Sequence, residues 1–198
     1  MQVAAGTEAL IFDCDGTLVD SLPLYLASWL EALKSKGGLD VSPDWFFSRR
    51  GYSEGMVLSE LEKTYGVTLN RAAIMAATRA GVRNRLPGVK QNVPVVALVR
   101  EWAGRLPLAV ASSGSREVVE ASLAAIGLLE AFDAIVTIED VERPKPAPDI
   151  YLLAAKRLGV QPSGCLVFED SAEGLEAAHA AGMAAEDVRP WSDFRGDA

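Results

Sequence analysis

The stretch Ala9-Leu10-Ile11-Phe12-Asp13-Cys14-Asp15-Gly16-Thr17 is a short apolar run that ends in two acids and a glycine. From Ala9 to Cys14 it is too short for a helix, and its apolar positions are consecutive. That pattern suits a strand of a parallel sheet buried on both faces. Runs of the same kind recur at Leu106–Ala111, Ala134–Ile138 and Cys165–Phe168, with a weaker one at Met183–Val188. Helical patterns fall between them at Val93–Trp102, Arg116–Ile126, Pro148–Leu158 and Ala172–Ala181. Short apolar strands alternating with alanine-rich helices predict a doubly wound α/β sheet.

One region interrupts the alternation. Residues 22–86 contain no strand pattern and read as the helices Leu22–Lys34, Pro43–Phe47, Glu54–Tyr65 and Arg71–Arg83. Gly37-Gly38, Gly51 and Gly66 punctuate them, and Pro87-Gly88 marks the exit. Ser21 is the expected N-cap of the first helix, with Pro23 in its first turn. The expected organisation is a core of residues 1–21 and 87–198 carrying a small helical cap at 22–86. The polar tail Trp191–Ala198 is expected to be loosely held.

Composition narrows the function. The chain has 198 residues, enough for one domain with a small insertion that buries roughly 70% of its unfolded surface. Hydrophobic residues are 49% and charged residues 23%, a globular balance. The formal charge of −8 argues against nucleic acid or an anionic membrane as partner. No apolar stretch approaches the ~20 residues of a membrane span. The N-terminus lacks the basic flank of a secretory signal. Cys14 and Cys165 sit in apolar runs and are expected to be buried free thiols, as in a reducing, cytoplasmic setting. His179 is the only histidine, which disfavours multi-histidine metal sites and serine–histidine or cysteine–histidine chemistry. A monomer is expected.

In open α/β sheets, ligands bind beyond the carboxyl ends of the strands. The first strand delivers Asp13 and Asp15 there, pointing the same way because side chains alternate along an extended chain. Two such close carboxylates repel unless one is protonated or a cation lies between them, and a hard divalent ion, Mg²⁺, answers that need. The second strand delivers Ser112, followed by Gly114 and a helix start, a place for a phosphate oxygen. Lys145 stands in a loop stiffened by Pro144, Pro146 and Pro148, and Glu169-Asp170 follow the fourth strand. A carboxylate nucleophile, a second acid, a hydroxyl, an ammonium and a metal site together suit phosphoryl transfer to an aspartate. The alternative of a calcium loop starting at Asp13 fails, because its fifth and twelfth positions are Thr17 and Leu24.

The stretch Phe12-Asp13-Cys14-Asp15-Gly16-Thr17-Leu18-Val19-Asp20-Ser21 resembles the signature of the haloacid dehalogenase-like superfamily. Ser112, Lys145 in the Lys-Pro-Ala-Pro-Asp run, and Glu169-Asp170 match its other motifs in order and spacing. The β-phosphoglucomutase-like sugar phosphatases, including small fructose-1-phosphate phosphatases, form the subgroup it looks most like. The resemblance implies a Rossmann-like core with a helical cap, Asp13 as nucleophile and Asp15 as general acid and base. It implies Mg²⁺ on the Asp13 carboxylate, the Asp15 backbone carbonyl and Asp170, with Glu169 in or near that shell. Ser112, with Ser113 beside it, and Lys145 would hold the phosphoryl group of a small phosphorylated metabolite.

The chain departs from the family pattern in the cap. Tyr25 stands where a histidine is frequent, and Leu22 where an acid or methionine is. The Gly51-Tyr52-Ser53 turn is followed by Glu54 rather than the mutases' arginine, and Thr78 is near the place of their cap lysine. These changes disfavour a mutase, which must grip a second phosphate. Arg49, Arg50 and Arg79 are the candidates to replace those cap cations, and Ser115 and Arg116 the candidates for reaching the sugar or a distal phosphate. The expected activity is Mg²⁺-dependent phosphomonoester hydrolysis through an aspartyl phosphate. A phosphosugar mutase, a phospho-accepting signalling module and a non-catalytic binding protein are the competing readings.

Overall fold

A computed structural model of the chain describes residues 3–49, 52–192 and 194. Five strands, β1 (Ala9–Phe12), β2 (Leu108–Ser112), β3 (Ala134–Thr137), β4 (Cys165–Glu169) and β5 (Ala184–Asp187), form one sheet in the order β3-β2-β1-β4-β5. Every pairing is parallel. The winding therefore reverses at β1. The loops leaving β1 and β4 open into the crevice at that reversal, where such sheets bind ligands.

The sheet explains why the strand sequences are continuously apolar. Leu10, Phe12, Leu108, Val110, Leu166 and Phe168 face α5 (Val93–Trp102) and α6 (Arg116–Ala125). Ala9, Ile11, Ala109, Ala111, Cys165 and Val167 face α7 (Asp149–Leu158) and α8 (Ala172–Ala180). Alternate residues thus enter two separate cores. Phe12 and Phe168 are register partners on neighbouring strands, with rings stacked at 4.9 Å between centroids. Large side chains on one face and alanines on the other set how closely the two helical layers approach.

Between β1 and α5 run α1 (Leu22–Ala32), α2 (Pro43–Phe47), α3 (Glu54–Tyr65) and α4 (Arg71–Arg85). They share a third apolar cluster that includes Trp29, Leu33, Leu58, Leu61 and Ile74. Two ion pairs join α4 to the sheet-bearing part: Arg79 with Glu139 and Arg83 with Glu117. Among the described residues no helix is long and apolar enough to cross a membrane. Cys14 and Cys165 are buried and unpaired.

Several boundaries differ from the sequence expectation. β1 stops at Phe12 rather than Cys14, because the chain turns at once: Leu18 and Val19 donate back to the Cys14 carbonyl and Gly16 to that of Val19. β2 begins at Leu108 rather than Leu106, since Pro107 has no N–H to give the ladder. It extends through Ser112. The first helix passes at Leu33–Gly37 into a π-helical turn that ends on Gly38 at φ +64°. α4 continues to Arg85, two residues further than expected. Ser21 does not cap α1 with its side chain; its backbone is already helical, and its hydroxyl goes elsewhere. Gly51 and most of the expected loose tail lie outside the described residues.

Candidate active site

The carboxyl ends of β1 and β4 are tied together where Asp13 N–H donates to the Phe168 carbonyl at 3.0 Å. The chain then reverses at Gly16, whose φ of +93° favours glycine. A Cβ at that position would run into the Asp170 carboxylate, so only glycine lets the first loop lie against the fourth. Thr17 Oγ1 donates to Asp170 Oδ1 at 3.3 Å and completes the contact.

Asp13 is almost wholly buried and accepts from Lys145 Nζ at 2.8 Å. The same ammonium donates to Glu169 Oε1 at 2.6 Å. Glu169 is committed on both oxygens. Oε1 also accepts from Tyr151 Oη at 3.3 Å, and Oε2 accepts from the Ser171 N–H and hydroxyl at 2.7 and 2.9 Å. Ser171 in turn caps α8, accepting from Gly174 N–H. A Cβ on Gly174 would collide with the Glu169 carboxylate. Lys145 Nζ lies 4.9 Å from the centre of the Tyr151 ring, so the lysine is held by charge and by the aromatic face.

Asp15 has different company. Its Oδ1 accepts from Ser21 Oγ at 2.5 Å and its Oδ2 from Ser112 Oγ at 3.3 Å. Ser112 Oγ also accepts from Gly114 N–H, which fixes the hydroxyl at the mouth of β2. The two aspartates, two residues apart in sequence, are thus held by an ammonium in one case and by hydroxyls in the other.

The electrostatics follow from burial. Desolvation pushes the Asp13 carboxyl well above its usual range; Lys145 opposes this, and the carboxylates of Glu169, Asp170 and Asp15 add to it. Asp15 is raised by burial, with the Ser21 and Ser112 hydrogen bonds pulling it back. Asp170 is pushed up to about 7, by burial first and by Glu169 next. Burial alone would depress the Lys145 ammonium, but Asp13 and Glu169 outweigh it and hold it charged. Oxygens of Asp13, Glu169 and Asp170 lie within 4.8 Å of one another. Three carboxylates beside one ammonium leave surplus negative charge, and hard oxygen donors at this spacing fit a Mg²⁺-type cation.

Of the residues singled out from sequence, Asp13, Asp15, Ser112, Lys145, Glu169 and Asp170 meet here. Ser113 follows Ser112 and is half-buried. Ser115 is fully buried, and its hydroxyl has no partner among the described residues. Two arginines expected near the sugar are engaged elsewhere. Arg49 stacks 4.0 Å over the Trp45 ring and donates to the Trp45 carbonyl and to Ser48. Arg116 is paired with Asp140 at 2.6 Å and Glu120 at 3.2 Å. Arg50 lies outside the described residues. Sequence reasoning missed Tyr151 and the bond from Ser21 to Asp15. Tyr151 stands six residues after Lys145, in the first turns of α7, where it reads as one more core aromatic.

The chain is similar to known proteins over most of its length. Residues 10–186 match the family model described as haloacid dehalogenase-like hydrolase. The fructose-1-phosphate phosphatase YqaB of Escherichia coli is 39% identical over 189 residues, covering 91% of this chain and 95% of the relative. Hexitol phosphatase B of the same organism is 31% identical over 190 residues, covering 88% and 80%. The crystal structure of a CbbY variant from Rhodobacter sphaeroides, in complex with xylulose-(1,5)-bisphosphate, superposes with a TM-score of 0.81 at 27% identity, covering 90% of this chain and 84% of that one. With the family model matched over residues 10–186 and a named phosphatase 39% identical across nearly its whole length, the chain belongs to the haloacid dehalogenase-like hydrolases, among their phosphomonoester-cleaving members.

Proposed function

We propose that the protein hydrolyses a small sugar phosphate, with fructose 1-phosphate and hexitol phosphates the first candidates, through a phosphoryl group carried on Asp13. The observation that carries this reading is the unlike setting of the two aspartates. Asp13 is held by the Lys145 ammonium, whereas Asp15 rests between two hydroxyls, groups that can either donate or accept as it loses or gains a proton. One is placed as an anion to attack, the other as a group that gives and takes a proton.

In the first step an Asp13 carboxylate oxygen attacks phosphorus and the bond from phosphorus to the sugar oxygen breaks. Asp15 gives its proton to that oxygen, which leaves as an alcohol. In the second step Asp15, now a carboxylate, takes a proton from water as the water oxygen attacks the same phosphorus. The bond to Asp13 breaks, phosphate departs, and both aspartates return to their starting forms. Lys145 neutralises the phosphoryl oxygens, and the Ser112 hydroxyl turns toward them when it releases Asp15. Asp13, Asp170 and the Asp15 backbone carbonyl would hold Mg²⁺, with Glu169 holding Lys145 and the Ser171 turn beside it. Bound there, the ion supplies positive charge against the phosphoryl oxygens. The helical region at 22–86 acts as the cap that excludes bulk water. The substrate is a soluble metabolite, and we place the reaction in the cytoplasm.

Phosphate release from fructose 1-phosphate, hexitol phosphates and p-nitrophenyl phosphate, with Mg²⁺ and with EDTA, tests the proposal. Activity that depends on Mg²⁺ and is abolished in Asp13→Asn is expected. Full activity in that variant overturns it.

A further inference from the structure

Above Asp15 the cap presents an array that the chemistry just described does not use. Ser21 and Tyr25 are one helical turn apart, with Tyr25 N–H donating to the Ser21 carbonyl at 2.9 Å. Since Ser21 holds Asp15, Tyr25 stands one turn beyond it on the same face of α1. Its hydroxyl is buried without a partner among the described residues. Burial, with Asp15 and Glu54 next, pushes the phenol well above its usual range, so both carboxylates are within electrostatic reach. Glu54, at the start of α3, is itself nearly buried and receives Arg79 in a fork, Nε at 3.0 Å and Nη2 at 2.6 Å from Oε2. The remaining arm of Arg79 reaches Glu139 across the interface at 3.4 Å. Ile138, the neighbour of Glu139, donates to the Gly114 carbonyl, which places this pair beside the loop that follows Ser112.

Two properties of this array bear on substrate. Its one guanidinium is shared by two carboxylates, so its net charge is negative. Among the described residues its unpaired hydrogen-bonding group is the Tyr25 hydroxyl. Buried polar groups in native proteins are normally paired. A sugar hydroxyl would pair it, whereas a second phosphate, carrying about −1.5 to −2 charges, would meet Glu54 and Glu139 with no unshared cation in the array among the described residues to answer it. We infer that the Tyr25–Glu54–Arg79–Glu139 array selects substrates whose leaving group is an uncharged polyol and rejects those bearing a second phosphate. This rests on the hydrolase reading above and sharpens its substrate class.

The test compares fructose 1-phosphate with fructose 1,6-bisphosphate in the full chain. The wild type is expected to favour the monophosphate by about 100-fold in kcat/KM, the scale set by an unanswered buried charge. Glu54→Gln, and independently the half-exposed Glu139→Gln, should narrow that ratio by about tenfold through the KM of the bisphosphate. Tyr25→Phe should raise the KM of fructose 1-phosphate about three- to tenfold and leave that of p-nitrophenyl phosphate, which has no sugar hydroxyl, unchanged. Equal use of the two sugars, or ratios unmoved in both glutamine variants, overturns the inference. Loss of all phosphate release from p-nitrophenyl phosphate marks failure of the hydrolase reading instead. Selection is then read without turnover from the thermal shift of Asp13→Asn, which the monophosphate should raise and the bisphosphate should not; equal shifts overturn the inference there too.

Discussion

The ammonium of Lys145 stands 2.8 Å from Asp13 Oδ1 where both side chains are almost closed to solvent. Glu169 takes the same ammonium at 2.6 Å from the other side. A single cation therefore answers two buried anions, and its removal leaves both uncompensated.

Lys145→Met tests this. The substitution keeps the length of the side chain and deletes the charge. Turnover should fall about 10²–10³-fold, the usual effect of losing a charge aimed at the transition state. The variant should also lose about 3–5 kcal/mol of stability at pH 8, because breaking a buried pair strands its partner. The loss should be smaller at pH 5, where the stranded Asp13 carboxyl, already raised by burial, takes up a proton. Urea denaturation at both pH values with parallel phosphate-release assays checks both claims; an unchanged midpoint refutes the structural one.

Asp15 is held by Ser21 at 2.5 Å and Ser112 at 3.3 Å, so Asn is accommodated at that position without a change of shape. The proposed proton donor matters most when the leaving group is a poor one. Asp15→Asn should lower turnover of fructose 1-phosphate about 10²–10⁴-fold, the range for a general acid–base group. With p-nitrophenyl phosphate the nitrophenolate leaves without a proton, and only the attack of water should slow. Rapid mixing is then expected to show a burst of about one nitrophenolate per protein followed by a slow phase. A burst suppressed as strongly as sugar-phosphate turnover would remove Asp15 from the proton-donor role.

Much of this site was legible because the chemistry stands at the ends of strands. The apolar runs before Asp13, Ser112 and Glu169 mark β1, β2 and β4, and a parallel sheet has only one place to bring such ends together. The helical region between Leu22 and Arg85 was readable as helix from its spacing, but not its partners. Arg49 and Arg116 illustrate the limit. Both stand near motif residues in sequence, yet Trp45 captures the first and Asp140 the second, contacts between side chains that no local pattern encodes. Ser21 looked like a helix cap because serine before a proline-containing helix usually is one. Its hydroxyl instead serves Asp15, since that buried carboxylate is the acceptor most in need of a donor. Arg79 and Glu54, 25 residues apart, pair only once α3 and α4 have packed.

The acidic cluster makes the metal-free protein pH-sensitive in an unusual direction. Asp170 is pushed up to about 7 and Asp13 well above its usual range, each by burial first. Between the ordinary carboxylate range and pH 7, the folded chain therefore binds more protons at these groups than the unfolded chain. Stability then falls as pH rises through that window. Asp140, Asp187 and Glu62, whose pKa values are lowered, give stability that is present above the ordinary carboxylate range and lost only in stronger acid. Lys145, raised above its ordinary value, keeps its contribution throughout the window and loses it only in strong alkali. None of these offsets the slope between pH 5.5 and 8. In EDTA the melting temperature should be several degrees lower at pH 8 than at pH 5.5, at about 2–4 °C per kcal/mol for a chain of this size. Mg²⁺ should restore it more at pH 8 than at pH 5.5, because the ion binds the deprotonated carboxylates. Asp170→Asn should flatten the EDTA profile and remove most of the Mg²⁺ shift. Calorimetric scans of both proteins at the two pH values, with EDTA and with Mg²⁺, check this; a melting temperature that rises with pH in EDTA, with a Mg²⁺ shift independent of pH, would show that the cluster is not under the charge strain its geometry implies.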